Sequence, residues 1–516
     1  MVILTATGEE LEVSPRLQEI LAYTDEGNLY VAQSSLNSPQ VLSFIGRLKV
    51  QGRECNVMPT TINHIREMYV GSKSVGFGLV GDDETTKVIK EIKSLIAYAR
   101  QMNASDIHIR IYENNTEFWI RMRGSLRQMR ELERTGDYGR LMAATIYNAM
   151  SDVSDAMYTP TERQDARISS RKYLPEDVFA IRVATSPMVD GEYIVMRLLY
   201  QDTEDTLSVE TLGYHPVHVR DLKLMMATTS GIAIIAGPTG SGKSTTLQKV
   251  IQIILHDTNH EINVITVEDP PEYPIRGAIQ TPVTGRGDDR DRLYAESMRQ
   301  NMRLDPDVIM VGEVRDAQTS ITAIRMAMTG HQVWTTVHAN TASLIMERFS
   351  DLLASEFPQG VDPMSLIADP GIIMGLVFQR LVKVNCPDCS IDIETLEKRN
   401  PDLEDIKRIR GMISNAHIKG MRFLNGRDRC NRCNGTGIVG RTVVAETIYP
   451  DHEFHELMRK RDRKGAVDHW LANLSGVPVQ THAMSKVLAG TLDWREAQRQ
   501  IGLFKQEDYD RCLRLS

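Results

Sequence analysis

The sequence has no long apolar run, no excess of positive charge and few cysteines, and each lack excludes something. Its longest apolar stretches, such as Gly371–Phe378 (GIIMGLVF), fall far short of the 18 or so residues that span a bilayer. The N-terminus, MVILTATGEELEV, has no basic lead and soon turns acidic, so it does not read as a secretory signal. These two features predict a cytoplasmic protein whose association with a membrane is peripheral, through partners. The net charge is −8 and the pI about 6.0, which gives no overall electrostatic footprint for nucleic acid. Six cysteines in 516 residues do not make a disulfide scaffold, and four of them form two CxxC pairs, a pattern that favours metal.

What is present is ordinary globular composition, 41% apolar and 25% charged, over a length that suggests about three domains. Residues 1–70 carry no strong motif, and GSKSVGFGLVGDDETT (Gly71–Thr86) reads as a linker. From Lys87, the apolar residues Val88, Ile92, Leu95, Ile96 and Ala99 recur at helical spacing. Strand patterns follow around Phe118–Met122 and over 178–199, predicting an α+β domain closed by the acidic stretch Gln201–Glu210. Beyond it, Ile232–Ala236, Ile262–Val267, Val308–Val311 and Gln332–Val337 alternate with helical patterns. That order predicts a mostly parallel sheet with helices on its faces.

The strongest motif is GPTGSGKST: Gly237, Pro238, Thr239, Gly240, Ser241, Gly242, Lys243, Ser244 and Thr245. Flanked by strand and helix, it is a phosphate-binding loop. Glycines turn backbone N–H groups toward phosphate oxygens, Lys243 reaches the β/γ-phosphates, and Ser244 holds magnesium. Glu268 and Glu313 close two apolar segments, VITVE and DPDVIMVGE. Either can polarise the attacking water, while the other holds magnesium or its water; we favour Glu268 as the base. His338 ends a further strand, where it can hydrogen-bond the γ-phosphate; His331 stands at that strand's other end. Cys386 with Cys389, and Cys430 with Cys433, place four thiolates on two tight turns, the makings of a closed, structural tetracysteine zinc site. The long separation between the pairs implies an inserted subdomain.

Taken together, these motifs resemble the secretion ATPases of type II secretion and type IV pilus assembly, over about residues 86–500. ITVEDPPEY resembles that family's Asp box, LDPDVIMVGEVRD its Gly-Glu Walker B, TGHQVWTTVHAN its His box and SDIHIR its N-terminal signature, with Arg110 in place of the usual glutamate. The tetracysteine set resembles the zinc subdomain of assembly ATPases, which retraction ATPases lack. The resemblance implies a RecA-like ATPase domain preceded by a PAS-like α+β domain, with ATP bound between them. It also implies a homohexamer that acts through an inner-membrane platform protein at the cytoplasmic face, with ATP, Mg2+ and Zn2+ but no nucleic acid. Family arginines on the PAS-like side fall here at Arg167 and Arg182, with Arg197 a third candidate; alanines at 166 and 180 replace a glycine and an aspartate of the family pattern. A guanidinium there neutralises charge on the γ-phosphoryl oxygens. The compact first 85 residues tilt the resemblance toward a type IVb-like pilus system, and the alternative is a conjugative DNA-transfer ATPase. The expected divisions are 1–85 for partner docking, 86–205 PAS-like, 206–380 RecA-like, 381–440 zinc subdomain and 441–516 helical.

Overall fold

The computed structural model describes the chain apart from residues 1–2, 6–9, 12, 19, 37, 54, 62–63, 66–67, 70–81, 155–156, 201–207, 270, 284–289, 359, 401–402, 427–429 and 516. Most of the two expected linkers, 71–86 and 201–210, therefore lies outside the described residues. The strands form three sheets, and each sheet follows from a different sequence pattern.

Near the N-terminus, β1 (Leu21–Tyr23), β2 (Asn28–Ala32) and β3 (Asn56–Thr60) make a small sheet in the order β1-β2-β3. Its core is modest, with Leu21, Leu29, Val31, Val41 and Leu48 buried, because the segment offers few apolar residues. Sequence reading found no element here.

The second sheet is antiparallel and has eight strands. These are β4 (Ala104–Tyr112), β5 (Asn115–Met122), β6 (Ser125–Gln128), β7 (Arg134–Thr135), β8 (Val153–Ser154), β9 (Gln164–Ile168), β10 (Val178–Met188) and β11 (Gly191–Tyr200). They run β6-β5-β4-β11-β10-β9-β8, with β7 beside β5. Alternation does the sorting. In β5 and β10 the buried positions recur every second residue, so one face packs on helix Asp82–Gln101 while the other stays open to polar side chains. The helix begins at Asp82, five residues before the apolar periodicity does.

The third sheet is the α/β core. It contains β12 (Gly231–Ala236), β13 (Val264–Glu268), β14 (Ile279–Pro282), β15 (Val308–Val311), β16 (Gln332–Val337), β17 (Ile373–Asn385) and β18 (Ile438–Ile448), in the order β14-β13-β15-β16-β12-β17-β18. Every pairing is parallel except β17 with β18. β12, β15 and β16 are buried throughout, as strands covered by helices on both faces must be. The fold class expected from the sequence is the one found.

The expected divisions at 380/381 and 440/441 need correction, because they fall inside β17 and β18. These strands pair from Leu376↔Ile448 to Asn385↔Ile438, so the cysteine segment is an excursion from the central sheet. The excursion holds the short helices Ile393–Arg399, Glu404–Met412 and Asn415–Ile418. Nor do the C-terminal helices stand apart: Trp470, Met484 and Trp494 belong to the same core cluster as Ile234 and Phe378.

Candidate nucleotide site between two sheets

The loop after β12 adopts the conformation its glycines permit. Gly237, Gly240 and Gly242 have φ of 154°, 77° and 87°, and a Cβ on Gly237 would sit 2.4 Å from the Gln379 carbonyl. Helix Lys243–Asp257 starts at once, presenting its N-terminal N–H groups and dipole to the loop. Lys243 Nζ donates to the carbonyls of Gly237 (2.8 Å) and Pro238 (3.4 Å). Burial lowers the Lys243 pKa, and the carboxylates of Glu313 and Glu272 oppose that.

Neighbouring strand ends bring up the acids. Glu268 is the last residue of β13 and half-buried. Its Oε1 accepts from Thr266 Oγ1 (2.7 Å) and Gln280 Nε2 (2.9 Å). Burial raises its pKa, an effect these two donors reduce. Glu313 follows β15, across from Glu268. Tyr294 ties the two strand ends together, donating to the Val267 carbonyl (2.8 Å) and accepting from the Glu313 N–H (3.4 Å). The Glu313 carboxylate also meets His338 Nε2 at 3.0 Å and Arg315 at 2.7 Å. The structure thus joins two motifs that were separate in the sequence: the His-box histidine grips the Walker-B glutamate. His331, at the far end of β16, bonds to Thr329 and Met326 and takes no part.

The facing wall is the open face of the antiparallel sheet. Register places Arg167, Arg182 and Arg197 directly opposite one another on β9, β10 and β11, and continues the row with Asp106 on β4 and Arg121 on β5. Directly paired residues share a face, so five charges form one line. Asp106 is almost fully buried; it accepts from Arg197 Nε at 2.9 Å and lies 3.6 Å from Arg121. Arg182 reaches across to Glu272 Oε1 at 3.2 Å. Arg167 donates to the Pro271 carbonyl (3.3 Å), and its guanidinium lies over the Phe179 ring at 5.4 Å. Burial lowers its pKa, and so does the nearby Arg182 charge.

Between the walls lies a cleft of about 1110 Å³ lined by Arg182, Arg197, Lys243, Ser244, Glu313 and His338, among others. Glu268 joins Arg182, Ser244 and Glu313 in an adjoining recess. Arg197 lines the cleft together with the phosphate loop, whereas Arg167 lines neither of these spaces. Glu272, Tyr294, Arg315 and Gln379 were missed as site residues. Glu272 and Arg315 sit inside the motifs already quoted, whereas Tyr294 and Gln379 had no local signal.

The four cysteines converge on one point at the outer end of β17 and β18. Their sulfurs all lie within 4.8 Å of one another, with Cys386–Cys430 at 3.8 Å and Cys389–Cys433 at 3.6 Å. A tetrahedral zinc with bonds of about 2.3 Å would space its sulfurs about 3.8 Å apart, so the set fits. The Gly437 N–H points at Cys433 Sγ (3.2 Å). Burial alone would raise the Cys433 thiol; that N–H and the neighbouring sulfurs outweigh it and hold the thiol below its usual range. From the facing domain, Arg123, in the turn between β5 and β6, donates to the Ile438 and Cys433 carbonyls.

Comparison with known proteins adds to this geometry. The family described as "Type II/IV secretion system protein" matches residues 82–499. The Type II secretion system ATPase E of Vibrio cholerae is 31% identical over 422 residues, covering 82% of this chain and 76% of its own. The Type IV pilus assembly ATPase PilB of Thermus thermophilus is 33% identical over 364 residues, 70% of this chain but only 37% of that longer protein. Among solved structures, the Legionella pneumophila ATPase DotB matches with a TM-score of 0.54 at 19% identity, covering 80% of this chain and 95% of its own. The pilus retraction motor PilT with bound ADP matches at 0.52 and 22%, covering 79% and 96%. These two likenesses concern the fold.

Proposed function

The chain belongs to the Type II/IV secretion system protein family, and from that premise we propose that it is a hexameric ATPase that drives pilin assembly or type II secretion through an inner-membrane platform protein. The observation that carries this reading is the two-walled cleft. Lys243 and Ser244, at the helix start, and Glu313, beyond β15, line one wall, and Arg182 and Arg197 of the antiparallel sheet line the other.

In this reading ATP lies with its β- and γ-phosphates against the loop N–H groups and Lys243. Arg182 exchanges Glu272 for the γ-phosphoryl oxygens, whose charge grows as the bond to the leaving group breaks. Glu268, with Thr266 and Gln280 fixing one of its oxygens, orients the attacking water and takes its proton; its raised pKa suits that task. Ser244 and Glu313 would hold magnesium, which neutralises phosphate charge when bound. His338 and Arg315 keep the Glu313 carboxylate in position. The cysteine quartet would hold zinc in a structural role, with no open position for chemistry.

Repeated exchange of Arg182 between Glu272 and phosphate would close and open the cleft, turning hydrolysis into movement. No helix among the described residues is long and apolar enough to cross a membrane, consistent with action at the cytoplasmic face through a partner. Purified protein should hydrolyse ATP, and Lys243→Ala should reduce turnover to background. Equal turnover by that variant would sink the reading. Gene deletion, complemented by wild type but not by Lys243→Ala, distinguishes the outputs: loss of pili points to assembly, loss of secreted enzymes to secretion.

A further inference from the structure

Behind the phosphate loop, on the side away from the cleft, runs a chain of buried side chains that the chemistry above does not use. Gln379, in the middle of β17, is completely buried. Its Nε2 donates to the carbonyl of Ser241, inside the loop, at 2.8 Å. Its Oε1 accepts from the hydroxyl of Tyr214. That hydroxyl lies 3.2 Å from Thr246 Oγ1, on the first turn of the helix that follows the loop. Burial raises the Tyr214 pKa, so the phenol keeps its proton. Since the tyrosine proton goes to Gln379, the Thr246 hydroxyl must be the donor to Tyr214. The bonds therefore run in one direction: Thr246 to Tyr214, Tyr214 to Gln379, Gln379 to Ser241.

This chain grips the loop at both ends of its turn. The Gln379 carbonyl also crowds Gly237, and its Nε2 lies 3.3 Å from where a Cβ on Gly242 would be. Tyr214 is itself held from outside. Lys486, on helix Val479–Leu488, is mostly buried and donates to Gly213 O, Thr442 Oγ1 and Val443 O. It thereby fixes the residue just before Tyr214. None of these side chains lines the cleft or its adjoining recess.

We propose that Gln379 and Tyr214 are positioning residues for the nucleotide site: together they brace the loop from behind in the shape that presents its N–H groups to phosphate. The proposal rests on the nucleotide-binding reading of the loop. Binding energy at such a loop comes from several N–H groups aimed together, so the brace acts on affinity for phosphate through the loop's shape.

The test is equilibrium titration of the full chain with a non-hydrolysable ATP analogue plus magnesium, for wild type, Tyr214→Phe, Gln379→Leu and the double variant, each with its melting temperature. Loss of a single hydrogen bond of ordinary strength corresponds to about three- to tenfold in an equilibrium constant. Tyr214→Phe should weaken binding about threefold and Gln379→Leu about tenfold. The double variant should lose less than the product of the two single losses, because Tyr214 acts in part through Gln379. These losses should not follow the melting temperatures. Wild-type affinity in both folded single variants would overturn the brace, and so would strictly additive losses. If Gln379→Leu fails to fold, Tyr214→Phe, which removes one oxygen, decides alone: a loss with melting temperature retained supports the brace, and wild-type affinity overturns it. A wild-type protein that binds no analogue would remove the nucleotide reading and the brace with it, whereas unaltered variants beside a binding wild type remove only the brace.

Discussion

On the phosphate-loop wall each chemical group sits at a strand end or helix start, and short contacts from the same wall hold it: Glu268 by Thr266 and Gln280, Glu313 by His338 and Arg315, Lys243 by loop carbonyls. On the facing wall the arginines stand in mid-strand on an open sheet face. Two of them are neutralised by acids, Arg182 by Glu272 and Arg197 by Asp106. Asp106 lies within the arginines' own sheet, whereas Glu272 comes from the opposite wall. The first wall is organised before substrate arrives. On the proposed function the second gives up an ion pair to meet it, and Arg182–Glu272 is the pair that spans the two walls. The pair is only partly exposed, and surface ion pairs contribute about 1 kcal/mol or less, so a modest gain elsewhere is enough to break it.

That contrast can be tested from its strongest consequence to its weakest. Glu268→Gln should cut turnover about 10²- to 10⁴-fold while ATP stays bound, measured by single-turnover hydrolysis beside nucleotide retention on a filter. Equal losses in turnover and binding would show that Glu268 positions the nucleotide instead. In the wild type, activity should fall on the acid side at a higher pH than an ordinary glutamate gives, because burial raises the Glu268 pKa and a base works only when deprotonated. Next, Arg182→Ala should lower kcat by more than Arg167→Ala does, by about tenfold or more, since only Arg182 lines the cleft. The reverse order would move the phosphate contact to Arg167 and break the comparison. Cys389→Ser should abolish bound zinc by elemental analysis and lower the melting temperature, because metal binding couples to local folding.

A prediction about stability, apart from the two walls, concerns His218, whose pKa burial lowers from 6.5 to about 3. The unfolded chain takes up that proton first. The site's contribution is therefore present above pH 6.5 and is lost as pH falls toward about 3, by at most about 1.4 kcal/mol per pH unit. His218→Gln should flatten that part of the melting-temperature profile.

What could be read from the sequence was whatever is local. The phosphate loop is a contiguous turn whose glycines state their own geometry, and paired CxxC spacing states a metal knuckle. Glu313 and His338 were each legible as strand-end residues. Their contact was not, because it depends on β15 and β16 lying side by side with Val311 opposite Thr335. The arginine row was hidden for the same reason. Residues 167, 182 and 197 align only once two antiparallel registers are set, and of the outer two only Arg197 then lines the cleft. Gln379 gave no signal at all, since a polar residue within an apolar run looks like an accident until its partners are in place.

The cysteine excursion leaves the central sheet after Asn385 and rejoins it at Ile438, and those two residues face each other across the strand pair. Although its exit and entrance are neighbours, the detour is no free appendage: Ile393, Leu396, Ile409, Ile418 and Phe423 within it share one buried cluster with Trp494 and Tyr509 of the C-terminal helices. A chimaera joined at 385 and 438 would therefore have to carry the facing surface of those helices along with the excursion, because cutting the excursion out alone leaves apolar side chains of the core exposed.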